Sequence, residues 1–232
     1  MDNAWLLDEL AFAGGEHVDI EFVGGYDRKQ GQPDPAPEVE AFLAQGLDAI
    51  STIVDLAAGT GQFAIPAARK FGRIVAVDIS PAMLEFLRRE AAGHALSNLE
   101  RVQAGFLGYE PEGPPADGVH SRHGLHQLPD FWKAIALDRI ARMLRPGGVL
   151  RVRDLIYDFA PGQATEVFER WFAGAATNGA VGYTAEDYAQ HIRTEHSTFR
   201  WLFEPMLRTA GFEIVTVEYH AAPYGSYTCV KR

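Results

Sequence analysis

A chain of 232 residues, 47% hydrophobic and 22% charged, has the size and composition of one large α/β domain, or of one domain with a short lid. Its formal net charge of -10, with Lys and Arg scattered among acids, argues against nucleic acid as a partner. A single cysteine, Cys229, excludes an intramolecular disulfide and a thiolate metal cage, and no apolar run approaches the roughly 20 residues that cross a membrane. The first residues carry acids and no basic leader region, so a soluble, cytoplasmic protein is expected. Along the chain, Asn3 to Phe12 reads as a short amphipathic helix. Gly24-Gly25 and the stretch Gly31 to Pro37 break the pattern, and Pro35 or Pro37 opens a helix reaching about Gly46.

The pattern then changes to strand–helix alternation. Ser51 to Leu56, Arg73 to Asp78, Leu99 to Gln103, Pro114 to Ser121 and Val149 to Leu155 read as strands. Between them, Gln62 to Phe71, Pro81 to Ala92 and Pro129 to Leu144 read as helices, with a turn at Arg145 to Gly148. Such alternation implies parallel strands and right-handed crossovers. Further helices are expected at Ala164 to Ala176, at Thr184 to Arg193 with Thr184 and Asp187 as a capping box, and at Phe203 to Ala210. Phe212 to Tyr219 and Tyr227 to Lys231, with no helix between them, must pair antiparallel. The expected fold is α/β: a Rossmann-like, doubly wound, seven-stranded sheet with a C-terminal antiparallel hairpin. Residues 1–48 form an N-terminal helical lid segment, and 49–232 the sheet domain, with a helical insertion at about 160–200.

The turn after the first strand reads Asp55-Leu-Ala-Ala-Gly59-Thr-Gly61. Its glycines let the backbone approach a ligand. Asp78 closes the second strand, where a carboxylate can accept hydrogen bonds from both hydroxyls of a ribose. Nicotinamide dinucleotides and S-adenosyl-L-methionine (SAM) share this geometry. Asp55, an acid at the turn, repels a pyrophosphate and welcomes a cationic amino group or sulfonium, which favours SAM.

The segments VDLAAGTGQFAIPAA, VAVDISPAML and ARMLRPGGVLRVRD, in this order and spacing, resemble class I SAM-dependent methyltransferases over about residues 50 to 156 and again in the terminal GFEIVTVEY. The resemblance implies that Asp55, Gly59 and Gly61 line the methionine end of SAM and that Asp78 binds its ribose. Ile79 and Met83 would pack on the adenine, with Gly105 and Phe106 beside its amino group. Ser121, Arg122 and His123 would face the sulfonium. Ala57 stands where the family's first glycine usually is, in the same cofactor-binding turn, and Gly105 stands where an acid is frequent. FVGGYDRKQG resembles the N-terminal lid of small-molecule methyltransferases, with Tyr26 over the cofactor.

Methyl transfer asks mainly for alignment and desolvation, and for a base only when the acceptor holds a proton. Candidate bases are His123 and His126 beyond the fourth strand; Asp154, after the fifth, is the catalytic candidate that orients an acceptor or caps the next segment. Tyr157, His191, His196 and Trp201 are the candidate acceptor residues, suited to a partly polar, planar or anionic small molecule. No metal is expected, since the histidines lack ligand spacing with carboxylates apart from His191 and Glu195. The expected function is methylation of a small-molecule acceptor, without nucleic acid or membrane. The alternative is a protein of the same fold that binds SAM or its demethylated product, S-adenosyl-L-homocysteine (SAH), without methylating. A homo-oligomer is compatible with either.

Overall fold

The computed structural model describes residues 5–13, 20–31, 33–220 and 223–232. Among the described residues three helices precede the sheet: α1 (Glu9–Phe12), α2 (Ile20–Lys29) and α3 (Ala36–Ala44). Asp8 caps α1 by accepting the Leu10 N–H at 3.1 Å, so the described part of the expected Asn3 to Phe12 helix is this single turn; Asn3 itself lies outside the described residues. Gly24-Gly25 does not break the chain as expected but lies inside α2. Two glycines cost a helix about 1 kcal/mol each, and tertiary packing overrides them: Val23 is buried against Ala82 and Met83.

Among the described residues the sheet has eight strands: β1 (Thr52–Leu56), β2 (Arg73–Asp78), β3 (Leu99–Gln103), β4 (Ala116–Arg122), β5 (Leu144–Tyr157), β6 (Thr198–Phe199), β7 (Phe212–His220) and β8 (Tyr224–Lys231). Their order is β3-β2-β1-β4-β5-β8-β7, with the two-residue β6 added beside the end of β5. β1 to β5 run parallel, and β8 is antiparallel to both β5 and β7. The seven long strands and the terminal hairpin match the sequence expectation. The expected turn Arg145 to Gly148 is instead a bulge within β5: Ala116 pairs Leu144 while Gly118 pairs Val149.

Among the described residues the remaining α-helices are α4 (Ala64–Ala67), α5 (Pro81–Ala92), α6 (Asp130–Met143), α7 (Ala164–Ala173), α8 (Ala185–Thr194) and α9 (Arg200–Thr209). The helix expected over Gln62 to Phe71 shrinks to four residues, α4. Pro66 has no N–H for the carbonyl one turn earlier, and the chain beyond it tightens to Arg69 N–H on Pro66 O at 3.2 Å and Lys70 N–H on Ala67 O at 2.9 Å. The capping box of α8 forms as expected, Asp187 N–H to Thr184 Oγ1 at 3.2 Å and Thr184 N–H to Asp187 Oδ2 at 2.8 Å.

Alternation along the strands divides the core. Ile53, Ile74 and Ala76 pack with α3 and α4 on one face; Val54, Leu56, Val75, Val119 and Val152 pack with α6 and α9 on the other. The strand order reverses between β1 and β4, and the helices following these strands lie on opposite faces. A crevice therefore opens at their carboxyl ends.

Candidate functional site

The turn leaving β1 holds three left-handed residues, Ala57 (φ 61°), Gly59 (φ 54°) and Gly61 (φ 91°). For Ala57 this conformation costs about 1 kcal/mol. Asp78 fixes the turn from the next strand. Its Oδ2 accepts the Gly59 N–H at 2.7 Å and its Oδ1 the Ser80 N–H at 2.8 Å, while Ser80 Oγ caps α5. Burial raises the Asp78 carboxyl to about 6 against these two hydrogen bonds, with the Asp55 charge adding to the rise. A narrow cavity of about 90 Å³ lies here, walled by Tyr26, Ala57, Gly59, Asp78, Ile79, Met83, Gly105, Phe106 and His123. The carboxylate of Glu9 from α1 occupies the space beside Gly105, and its Oε2 accepts the Leu107 N–H at 2.9 Å.

Asp55 lies one strand across. His120 Nδ1–H donates to its Oδ1 at 2.7 Å, and Phe63 stacks on the His120 ring at 3.8 Å, whereas Asp55 Oδ2 is buried with no hydrogen-bond partner. Helix α2 is tied to the same turn: Thr60 Oγ1–H and Gln62 Nε2–H donate to Asp27 Oδ1 at 2.5 and 2.7 Å.

Beyond the narrow cavity lies a wide one of about 950 Å³. His123 borders both. Its backbone is left-handed (φ 52°), held by its N–H on Arg153 O at 2.9 Å, and its Nε2 is buried without a partner. Burial first, and the nearby Arg122 second, hold the ring well below the ordinary histidine range, so it is neutral at pH 7. Arg122 and Arg153 are register partners on β4 and β5 and both line the wide cavity, each with its Nε lacking a partner. Trp171 and Tyr188 stack at 4.2 Å to form an aromatic wall, with Tyr224 at 6.0 Å from Trp171.

The loop after β4 is organised by Asp154. Its Oδ2 accepts the Gly124 and Leu125 N–H groups at 3.1 and 2.8 Å, and its Oδ1 accepts His126 Nδ1–H at 2.6 Å. On the far side of the ring, His126 Nε2 is 3.0 Å from Glu195 Oε2, and His191 Nδ1 is 2.5 Å from the same oxygen. Burial disfavours charge on His126, but Asp154 and Glu195 outweigh it and hold the ring protonated. Buried Lys133 joins the insertion to this loop, with Nζ donating to Leu128 O at 2.6 Å, to Asp130 Oδ1 at 2.9 Å and to His196 O.

Residues 53–148, from β1 through the bulge of β5, match a family described as methyltransferase domain. This stretch is similar to methyltransferase domains. A demethylmenaquinone methyltransferase of Lactococcus lactis subsp. lactis is 25% identical over 72% of this chain and 67% of its own. A trans-aconitate 2-methyltransferase of Azoarcus sp. is 34% identical over 46% of this chain, which spans only 40% of that relative's length. A magnesium protoporphyrin IX methyltransferase from Synechocystis PCC 6803, solved with SAH bound, superposes with a TM-score of 0.64 at 15% identity, over 96% of this chain and 92% of that one. The fold is that of class I SAM-dependent methyltransferases, whose cofactor is SAM.

Within the matched stretch and its flanks, the sequence-derived cofactor residues divide into three groups. Tyr26, Ala57, Gly59, Asp78, Ile79, Met83, Gly105, Phe106 and His123 share the narrow cavity. Asp55 borders a small recess next to it, with Ala57, Gly59 and His120. Gly61 lies outside, and a side chain there would stand 2.9 Å from Leu87 Cγ; Ser121 is fully buried within β4. His126, His191 and His196 line the wide cavity, and Asp154 supports it from behind. Trp201 does not reach it, because α9 presents that ring outward (58% exposed) on Phe199. Tyr157 is packed among Phe159, Phe168 and Phe199. Sequence reading missed Glu9, His120, Arg153, Trp171 and Tyr188. The spacing of His120 and Arg122 on one face of a strand was a usable signal, as was the i,i+4 pair His191 and Glu195.

Proposed function

We propose that this chain is a SAM-dependent methyltransferase acting on a small anionic acceptor held in the wide cavity, with the helices ahead of β1 serving as a lid. The observation that carries the reading is His123, which borders both cavities with a buried, unpartnered Nε2. The chain's own groups fit the cofactor. Asp55 Oδ2 is a buried carboxylate oxygen awaiting a cationic partner, Asp78 stands at the strand end suited to a ribose, and Met83 and Phe106 offer apolar faces to a base.

When bound, SAM supplies a sulfonium methyl group open to in-line displacement. The acceptor provides the electron pair of the new bond, and the pair of the broken carbon–sulfur bond stays on sulfur. Arg122 and Arg153 pin an anionic handle; two guanidinium groups side by side, each with an idle N–H, ask for one anion between them. Trp171 and Tyr188 exclude water and press on a planar portion. His123 Nε2 accepts a hydrogen bond from the acceptor's O–H or N–H, aims its lone pair at the methyl group, and takes the proton where one must leave. His126, pinned as a cation between two carboxylates, has no lone pair to act as a base in this arrangement.

The test is turnover of SAM to SAH with a panel of small carboxylate-bearing hydroxy, amino and thiol compounds, comparing wild type with His123→Asn. Methylated product from wild type and a kcat at least tenfold lower in the variant, with SAH affinity kept, support the reading. SAH binding with no methylation of any panel member favours the alternative, a binder of the same fold that does not methylate.

A further inference from the structure

Three side chains in the wall of the wide cavity converge on one point. His126 Nε2 comes from the three-residue turn after β4, and His191 Nδ1 and a Glu195 carboxylate oxygen from the end of α8. All three ligand-type atoms lie within 4.8 Å of one another. The i,i+4 spacing of His191 and Glu195 puts both on one helix face. The His196 N–H on His126 O at 2.8 Å clamps that helix end to the turn.

We propose that His126, His191 and Glu195 form a binding site for a divalent transition-metal ion of the zinc class. The donor set is two imidazoles and one carboxylate, which suits Zn²⁺, Co²⁺, Mn²⁺ or Fe²⁺ rather than Ca²⁺ or Mg²⁺. Each imidazole also has its other nitrogen held by an acceptor, as metal-bound histidines characteristically do: His126 Nδ1 by Asp154 Oδ1 at 2.6 Å, and His191 Nε2 by Ser197 Oγ at 2.7 Å. Those bonds fix which nitrogen faces the centre. The facing atoms stand 3.0 and 2.5 Å from Glu195 Oε2. Ligands at about 2.1 Å in a tetrahedral site stand roughly 3.4 Å from one another, so small side-chain rotations admit an ion. The Gln127 amide nitrogen, 3.0 Å from His126 Nε2, must turn aside or present its oxygen. The three ligands line the wide cavity, so remaining coordination positions face the space proposed for the acceptor and can take an oxygen donor from it. A hydrogen-bonded His–Glu–His cluster alone explains the contacts to Glu195. Binding an ion displaces the proton that such a cluster holds on His126 Nε2, so the two arrangements differ in the titration below.

The test uses the full chain, stripped with a chelator and titrated with Zn²⁺ by calorimetry and with Co²⁺ by visible absorption, without SAM or acceptor. The expected result is one ion per chain with sub-micromolar affinity and Co²⁺ bands of a nitrogen- and oxygen-ligated centre. Glu195→Gln and His191→Ala should each weaken binding more than tenfold, and Asp154→Asn by 10- to 100-fold through His126, with folding checked by circular dichroism. Absence of binding in wild type overturns the site, as does equal binding in Glu195→Gln. Since the readout is the metal alone, a failed methyl-transfer assay leaves this result standing, and the converse also holds.

Discussion

Replacing Asp78 with Asn should weaken SAH binding and abolish its pH dependence. The Asp78 carboxylate already takes one backbone N–H on each oxygen, at 2.7 and 2.8 Å, and retains a lone pair on each for a ribose hydroxyl. Hydrogen bonds to a charged group contribute about 1.5–3 kcal/mol each, so losing one to two of them predicts a Kd about 10- to 10,000-fold weaker. Because burial lifts the carboxyl to about 6, its ionised fraction falls about tenfold per unit below that pH, and affinity falls with it. Stability of the free protein moves the opposite way. Between the ordinary aspartate value of 3.8 and about 6, the folded state holds a proton that the unfolded chain has released. Stability therefore falls as pH rises through this window, by about 3 kcal/mol at most. Calorimetric SAH titration of both proteins from pH 5 to 7.5 is the assay. A wild-type affinity flat across that range, or an Asn variant with wild-type affinity, refutes the assignment of Asp78 to the ribose.

Gly124→Ala places a methyl 2.5 Å from Ala57 Cβ and should destabilise by about 1–3 kcal/mol in thermal melts; adding Ala57→Gly removes that methyl and should restore most of the loss. Arg153→Gln should raise the KM of a carboxylate acceptor about tenfold or more while leaving SAH affinity within about threefold. Lys133→Met strands the buried Leu128 and His196 carbonyls and should lower stability by about 2 kcal/mol, with faster proteolysis within 164–197.

Most of the parallel sheet was legible because its signals are local: a β-branched run, a glycine turn and an acid closing the next strand lie within one β-α-β unit. The narrow cavity was legible for the same reason. Glu9 was not, since nothing in the sequence says that an acid from α1 fills the space beside Gly105. Helix α2 was misread at Gly24-Gly25 because intrinsic propensity was the only visible term, while packing of Val23 on α5 decided the outcome. Trp201 and Tyr157 show the limit of chain position, which puts residues near the sheet edge without saying which way each side chain points. The cluster of His126, His191 and Glu195 joins residues more than sixty positions apart, and only the chain path of the insertion brings them together.

Asp154 links the two chambers through one carboxylate. Its Oδ2 holds the backbone of Gly124, which abuts Ala57 in the turn after β1, and its Oδ1 holds the ring of His126 in the wall of the wide cavity. A ligand that reorients His126 must pull on the same carboxylate that shapes the turn. Should occupancy of one chamber change affinity in the other, thermodynamic reciprocity makes the factor equal in both directions. An acceptor that tightens SAH binding fivefold must itself bind fivefold more tightly to the SAH-loaded protein.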